Sequence, residues 1–226
     1  MKTNYRQLLA LVLMVMTLGS GVFAQTLRVS PGGRYLETVG GEPFFYLGDT
    51  GWDLFNALDR EETVRYLKNR AEKGFTVIQA VLLFRDLSLP NACGEVPLLN
   101  GNPASPNEEF FRHVDFVVEK AGEMGLYIGM LPAWGRFWAG EDAIFTPENA
   151  AVYGEFLGER YAGEPVIWIL GGDENINNDR ELEIMQSLAT GLRKGFGQGH
   201  LISFHPRGPG LSSDHVHHEE WLDFNM

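Results

Sequence analysis

Five apolar runs alternating with helix-like stretches constrain this chain more than any other feature. The runs occupy residues 43–48, 75–83, 126–132, 165–170 and 200–204. A strand with one wet face alternates apolar and polar side chains. A run that is apolar throughout must be covered on both faces, which implies a parallel sheet wrapped by helices. The intervening segments supply those helices. Asp59 with Glu62 forms a capping-box pattern before a face of Val64, Leu67 and Ala71, and Gly74 ends that helix. Asn107 caps a second helix with Phe110, Val114, Val117 and Ala121 inward and Gly125 at its close. Thr146-Pro147 opens a third carrying Val152, Phe156 and Leu157. Leu182, Met185, Ala189 and Leu192 mark a fourth, with Gly195 at its expected end. Ahead of all this, residues 27–29 and 35–39 read as a short β-hairpin around Pro31-Gly32-Gly33.

Two architectures satisfy such a pattern, the doubly wound sheet and the (β/α)8 TIM barrel. The first run is followed by Gly48-Asp49-Thr50-Gly51-Trp52, which lacks the Gly-x-Gly-x-x-Gly phosphate cradle of the doubly wound fold. Polar and aromatic residues instead gather just after every run, where barrels build their sites. The expectation is therefore an α/β chain forming a (β/α)8 barrel truncated after about strand six, preceded by the hairpin. A complete barrel takes about 250 residues and eight strands. Here the sixth run only begins at Leu222, and Trp221 to Met226 reads as the entry to a buried strand, so the chain is expected to be a fragment.

Length and composition narrow the function classes. The chain has 226 residues, 44% of them hydrophobic, enough for one packed domain, expected over residues 25–226. Eighteen basic against 30 acidic side chains give a net charge of −12 with no Lys/Arg-rich run, which disfavours nucleic-acid partners. The lone Cys93 excludes an intrachain disulfide framework and a multi-cysteine metal site, and in an oxidising compartment it is tolerable if buried. Residues 1–24 read as a signal peptide. Lys2 and Arg6 precede an apolar stretch at residues 8–18, and Val22-Phe23-Ala24 supplies a cleavage site before Gln25. That address implies a secreted or periplasmic protein, with the cell surface as an alternative, and no membrane span after cleavage.

The strand ends carry the chemistry. Asp49 and Trp52 follow the first run, and Gln79 lies within the second, which delivers Phe84, Arg85 and Asp86. Trp134, Arg136, Phe137 and Trp138 follow the third, Gly171-Gly172-Asp173-Glu174-Asn175 the fourth, and His205 and Arg207 the fifth. Asp214, His215, His217, His218, Glu219 and Glu220 precede the sixth. Aromatic platforms among carboxylates and bidentate donors suit a sugar, whose C–H faces stack on indoles while its hydroxyls take hydrogen bonds. Trp168 is expected in the core, whereas the Trp134/Trp138 pair is expected in the mouth. Glycosidic cleavage needs one carboxylic acid to protonate the leaving oxygen and a second carboxylate across the ring. A rim carboxyl half-desolvated by aromatics can keep its proton near neutral pH. Neighbours on an extended backbone diverge, so of Asp173 and Glu174 one is the acid and the other a helper or a rim residue. The substrate-contact set is Asp49, Trp52, Gln79, Trp134, Trp138, Glu174, Asn175, His205, His215 and His217. The His215/His217/His218 cluster also admits a metal reading, but no metal or other cofactor is expected. A non-catalytic carbohydrate-binding protein of the same fold remains the alternative.

Gly48-Asp49-Thr50-Gly51-Trp52, Gly74-Phe75-Thr76-Val77-Ile78-Gln79, the run from Val166 to Asp173 and Trp221-Leu222-Asp223-Phe224-Asn225-Met226 together resemble the apiosidase-like glycoside hydrolases, of the family 140 type. The resemblance covers the chain from about Leu27 to Met226 and implies a catalytic barrel followed by a small C-terminal β domain. It also implies hydrolysis of glycosidic bonds in pectic saccharides, with apiose as the sugar released. It assigns the general acid to Asp173 and the second catalytic carboxylate to a glutamate of a later strand, beyond Met226. Glu174 receives no role from it. The partner implied is an oligo- or polysaccharide.

Overall fold

The computed structural model describes residues 26–141 and 143–226, so the expected signal peptide lies outside the described residues. The chain opens with a three-stranded antiparallel sheet, β1 (Leu27–Val29), β2 (Leu36–Thr38) and β3 (Pro43–Phe44), in that order. A five-stranded parallel sheet follows in strict sequence order. Its strands are β4 (Gly48–Thr50), β5 (Val77–Leu83), β6 (Tyr127–Ala133), β7 (Val166–Gly171) and β8 (Ile202–His205). Neighbours joined by helices, with no strand inserted out of order, are what a partial TIM barrel requires and a doubly wound sheet does not give.

The connecting helices are α1 (Leu54–Ala57), α2 (Arg60–Glu72), α3 (Glu108–Glu123), α4 (Pro147–Arg160), α5 (Asp179–Phe196) and α6 (Ser213–Val216). Their starts follow local chemistry. Both capping-box bonds form between Asp59 and Glu62, and the Asn107 side chain accepts from Glu109 N. Thr146 and Asn149 form a second reciprocal pair ahead of Pro147. Gly195 does not end α5, which runs on to Phe196 and closes at Gly197 (φ +70°). A Cβ at Gly195 would collide with the Glu159 backbone N–H, so this glycine serves close approach to α4 rather than termination. Among the described residues no helix is long and apolar enough to cross a membrane.

The sheet has two differently packed faces. Outward, Ile78, Ala80, Leu82, Ile128, Met130, Trp168, Leu170, Ile202 and Phe204 join the helices in one core. Inward, Val77, Tyr127, Ile167 and Leu201 pack on Leu27, Leu36 and Phe44, so the small antiparallel sheet closes the N-terminal end of the strands. One layer above, Val81, Leu131 and Ile169 meet Trp52, Phe84, Trp134 and Met226.

Two expectations change. The first apolar run is not one strand. Pro43–Phe44 pairs with β2, Phe45 is 75% exposed, and the barrel strand starts only at Gly48. Residues 222–226 run beside β8 without forming a strand. Asp223 N donates to Ile202 O, but Ile202 N donates to the Asp223 carboxylate (2.7 Å), so a side chain takes the place of a ladder carbonyl. Cys93 is exposed, 3.4 Å from Nδ1 of the buried His113.

Candidate active site

The C-terminal ends of the strands form an aromatic rim over the Val81/Leu131/Ile169 layer. Trp52 lies 5.5 Å from Trp134 and 5.7 Å from His205, centroid to centroid, and Phe84 packs edge-on against Trp134 at 5.1 Å. Trp52, Trp134 and His205 are each half-buried, so ring surface remains open to a ligand. A groove of about 400 Å³ beside the rim is walled by Trp52, Leu54, Leu58, Tyr66 and Phe84.

Asp173 stands at this rim, and its backbone is unusual. Gly171 and Gly172 have φ of +93° and +97°, and Asp173 follows at +61°. Glycine adopts this left-handed region freely, whereas aspartate does so at a cost of about 1 kcal/mol. The two glycines are also required by space. A Cβ on Gly172 would lie 2.9 Å from Ala133 O, and one on Gly171 would collide with the His205 carbonyl. The turn is pinned by Gly172 N to His205 O (3.1 Å), Gly135 N to Gly172 O (2.8 Å) and Asp173 N to His205 Nδ1 (3.1 Å). Asp173 is exposed, and its carboxyl has no ion pair or hydrogen bond among the described residues.

Glu174 is employed differently. Its carboxylate receives Arg207 Nη2 at 2.5 Å and Asn175 N at 3.1 Å, while Asn175 Oδ1 accepts from Arg207 N. The Glu174 Cβ sits where a side chain on Gly135 would be. Helix α5 is capped by Asn178, so neither acid serves as its cap. The two carboxyls thus separate, one fixed by an arginine and one without a partner among the described residues.

Five expected contact residues lie elsewhere. Asp49 is in register with Ile78 and faces the helices. It accepts from the Tyr66 hydroxyl (2.5 Å) and pairs with Arg70, both on α2. Burial would raise its pKa, but these two partners outweigh that and hold the carboxyl below its ordinary range. Trp138 is 2% exposed, its Nε1 donating to Gly171 O at 2.6 Å and its ring packed near Phe204. The turn Gly135–Phe137 carries it from the rim into the helix layer. Gln79 faces inward but below the rim, donating to the Tyr46 hydroxyl at 3.1 Å. Burial pushes that phenol up to about 12, against the Gln79 hydrogen bond. His215, on α6, packs 6.3 Å from the helix-facing ring of Phe204. His217 is exposed and meets the His218 ring edge-on at 5.2 Å. Among the described residues no group of three or more His, Cys, Asp or Glu side chains is arranged to hold a metal ion.

The rim therefore unites Trp52, Trp134, Asp173, Glu174, Asn175 and His205, and adds Phe84 and Arg207, which were absent from the expected contact set. Both follow a strand directly, at the positions after Leu83 and two after His205, and that placement was the available signal.

Residues 30–226 match the family model described as the apiosidase-like catalytic domain. The chain belongs to the apiosidase-like family. Among solved structures, it is similar to a glycoside hydrolase family 5 protein from Bacteroides vulgatus at 37% identity and TM-score 0.80, covering 89% of this chain and 44% of that one. A second, described as a glycoside hydrolase, matches at 36% identity and TM-score 0.80 over 89% and 45% of the two chains. A family 5 mannosidase from Rhizomucor miehei matches in fold at 16% identity and TM-score 0.59, over 85% and 58%. The chain thus spans under half the length of the first two structures it matches. No curated protein sequence matches it.

Proposed function

We propose that this domain hydrolyses glycosidic bonds in pectic saccharides outside the cytoplasm, with Asp173 as the general acid. The observation that carries the reading is a carboxyl without a partner, held in a costly backbone conformation beside an open Trp52/Trp134 platform. A pyranose or furanose ring stacked on these indoles excludes water from the carboxyl and brings the glycosidic oxygen toward it. Asp173 gives its proton to that oxygen as the bond to the anomeric carbon breaks, and the leaving sugar departs as a neutral alcohol. The second carboxylate then either attacks the anomeric carbon or deprotonates the attacking water. Glu174 is poorly suited to that task, because Arg207 and the Asn175 N–H occupy its oxygens. The family resemblance puts this group on a later strand.

The test uses the complete gene product and oligosaccharides released from pectin, with free sugar as readout. Turnover abolished by Asp173→Asn, with saccharide binding retained by calorimetry, is the expected result. Undiminished turnover in that variant refutes the assignment. Binding without any turnover in the parent protein favours a carbohydrate-binding module.

A further inference from the structure

We propose that His205 is a positioning residue whose Nδ1 holds Asp173 in its left-handed conformation; this rests on the reading of Asp173 as proton donor. The Asp173 backbone N–H has to donate, so the 3.1 Å bond requires an unprotonated Nδ1 and, in the neutral ring, a proton on Nε2. The same residue accepts from Gly172 N through its main-chain oxygen. His205 therefore grips the turn at two consecutive amides, once through its backbone and once through its side chain. Trp52 and Trp134 pack against the ring at 5.7 and 6.3 Å and fix its plane, so the sugar platform and the acid share one support. Aspartate resists a φ of +61°, and an extended alternative would swing its carboxyl away from the platform. Without the side-chain bond, the remaining pins act on Gly172 before it and on Glu174 and Asn175 after it, and none on the Asp173 amide itself.

Isosteric replacement separates this role from direct sugar contact. In His205→Asn the side-chain oxygen takes the place of Nδ1 and can accept the Asp173 N–H. In His205→Gln the amide reaches the place of Nε2 instead and leaves the Nδ1 place empty. Assayed in the complete gene product, the Asn variant is expected to retain far more kcat than the Gln variant. The Gln and Ala variants are expected to lose about 100-fold in kcat with KM nearly unchanged, the scale of a misplaced reacting group. Retention of kcat by Gln and its loss in Asn would overturn the proposal, as would a loss confined to KM. A readout independent of turnover accompanies these. Nitrogen NMR of the parent is expected to show His205 protonated at Nε2 only, with the Asp173 amide protected from exchange. An Nδ1-protonated ring overturns the clamp whatever the activity. A clamp seen by NMR in a protein whose turnover ignores Asp173→Asn would instead overturn the general-acid assignment.

Discussion

Trp134 and Trp138 stand at either side of one short turn, yet they belong to different regions. Trp134 lies half-open on the rim among Trp52, Phe84 and His205, whereas Trp138 is closed into the helix layer and hydrogen-bonded to Gly171 O. Asp173 and Asp49 divide the same way. Asp49 lies within β4, faces α2 and is held by Tyr66 and Arg70, whereas Asp173 follows β7 at the rim with its carboxyl unpaired among the described residues. In the helix-facing layer Asp49 and Trp138 are hydrogen-bonded within the protein, and that contributes stability. The rim leaves a carboxyl and two indole faces unsatisfied, which is where a ligand gains most.

The contrast predicts opposite phenotypes for chemically identical changes. Trp138→Ala should cost about 4 kcal/mol in urea unfolding, through lost burial and an empty cavity. Trp134→Ala, at the other extreme, should cost under about 1 kcal/mol yet weaken saccharide binding about tenfold, as one stacking contact is removed. A large stability loss at Trp134 would erase the distinction. Between them, Gly172→Ala should destabilise by about 2 kcal/mol, since its φ and the nearby Ala133 carbonyl both oppose a side chain. Asp49→Asn should cost a similar amount, about 2 kcal/mol from its charged hydrogen bonds, while leaving turnover intact. Lost turnover without lost stability would put Asp49 at the site after all.

Acid should act on the helix-facing layer in two steps. Burial lowers the pKa of His200 and of His113, and neighbouring Arg193 and Arg60 add to it. The unfolded chain therefore binds protons that the fold refuses, and their contribution, full above about pH 6.5, is lost as pH falls below that value. Asp49 is shifted down from 3.8, so its contribution persists above that pH and is lost below it. Melting temperature followed from pH 8 to 3 should show both declines, and Asp49→Asn should remove the second. A melting temperature that rises on acidification would contradict the assignment.

The barrel, the order of its strands, the Asp59/Glu62 capping box and the Thr146-Pro147 helix start were legible in the sequence because each depends on local pattern. The face presented by a strand-end residue was not. Side chains alternate with a period of two, so the face of Asp49 depends on where the strand begins. The apolar run 43–48 suggests an early start, whereas pairing begins at Gly48 and turns Asp49 to the helices. Trp138 and His215 were misplaced for a related reason. A short helical turn and the four-residue helix α6 redirect them, and neither carries a periodic signal. Gly171-Gly172-Asp173 was readable because glycine pairs announce an unusual backbone, although its pinning by His205 spans thirty-two residues and required the fold.

The most direct test of a rim that gives up local comfort for chemistry is Asp173→Gly, with turnover and unfolding free energy measured on the same preparation. Glycine accepts the left-handed backbone, so stability should be unchanged or raised by up to about 1 kcal/mol while sugar release disappears. A variant that unfolds more easily, or one that still releases sugar, would contradict the account.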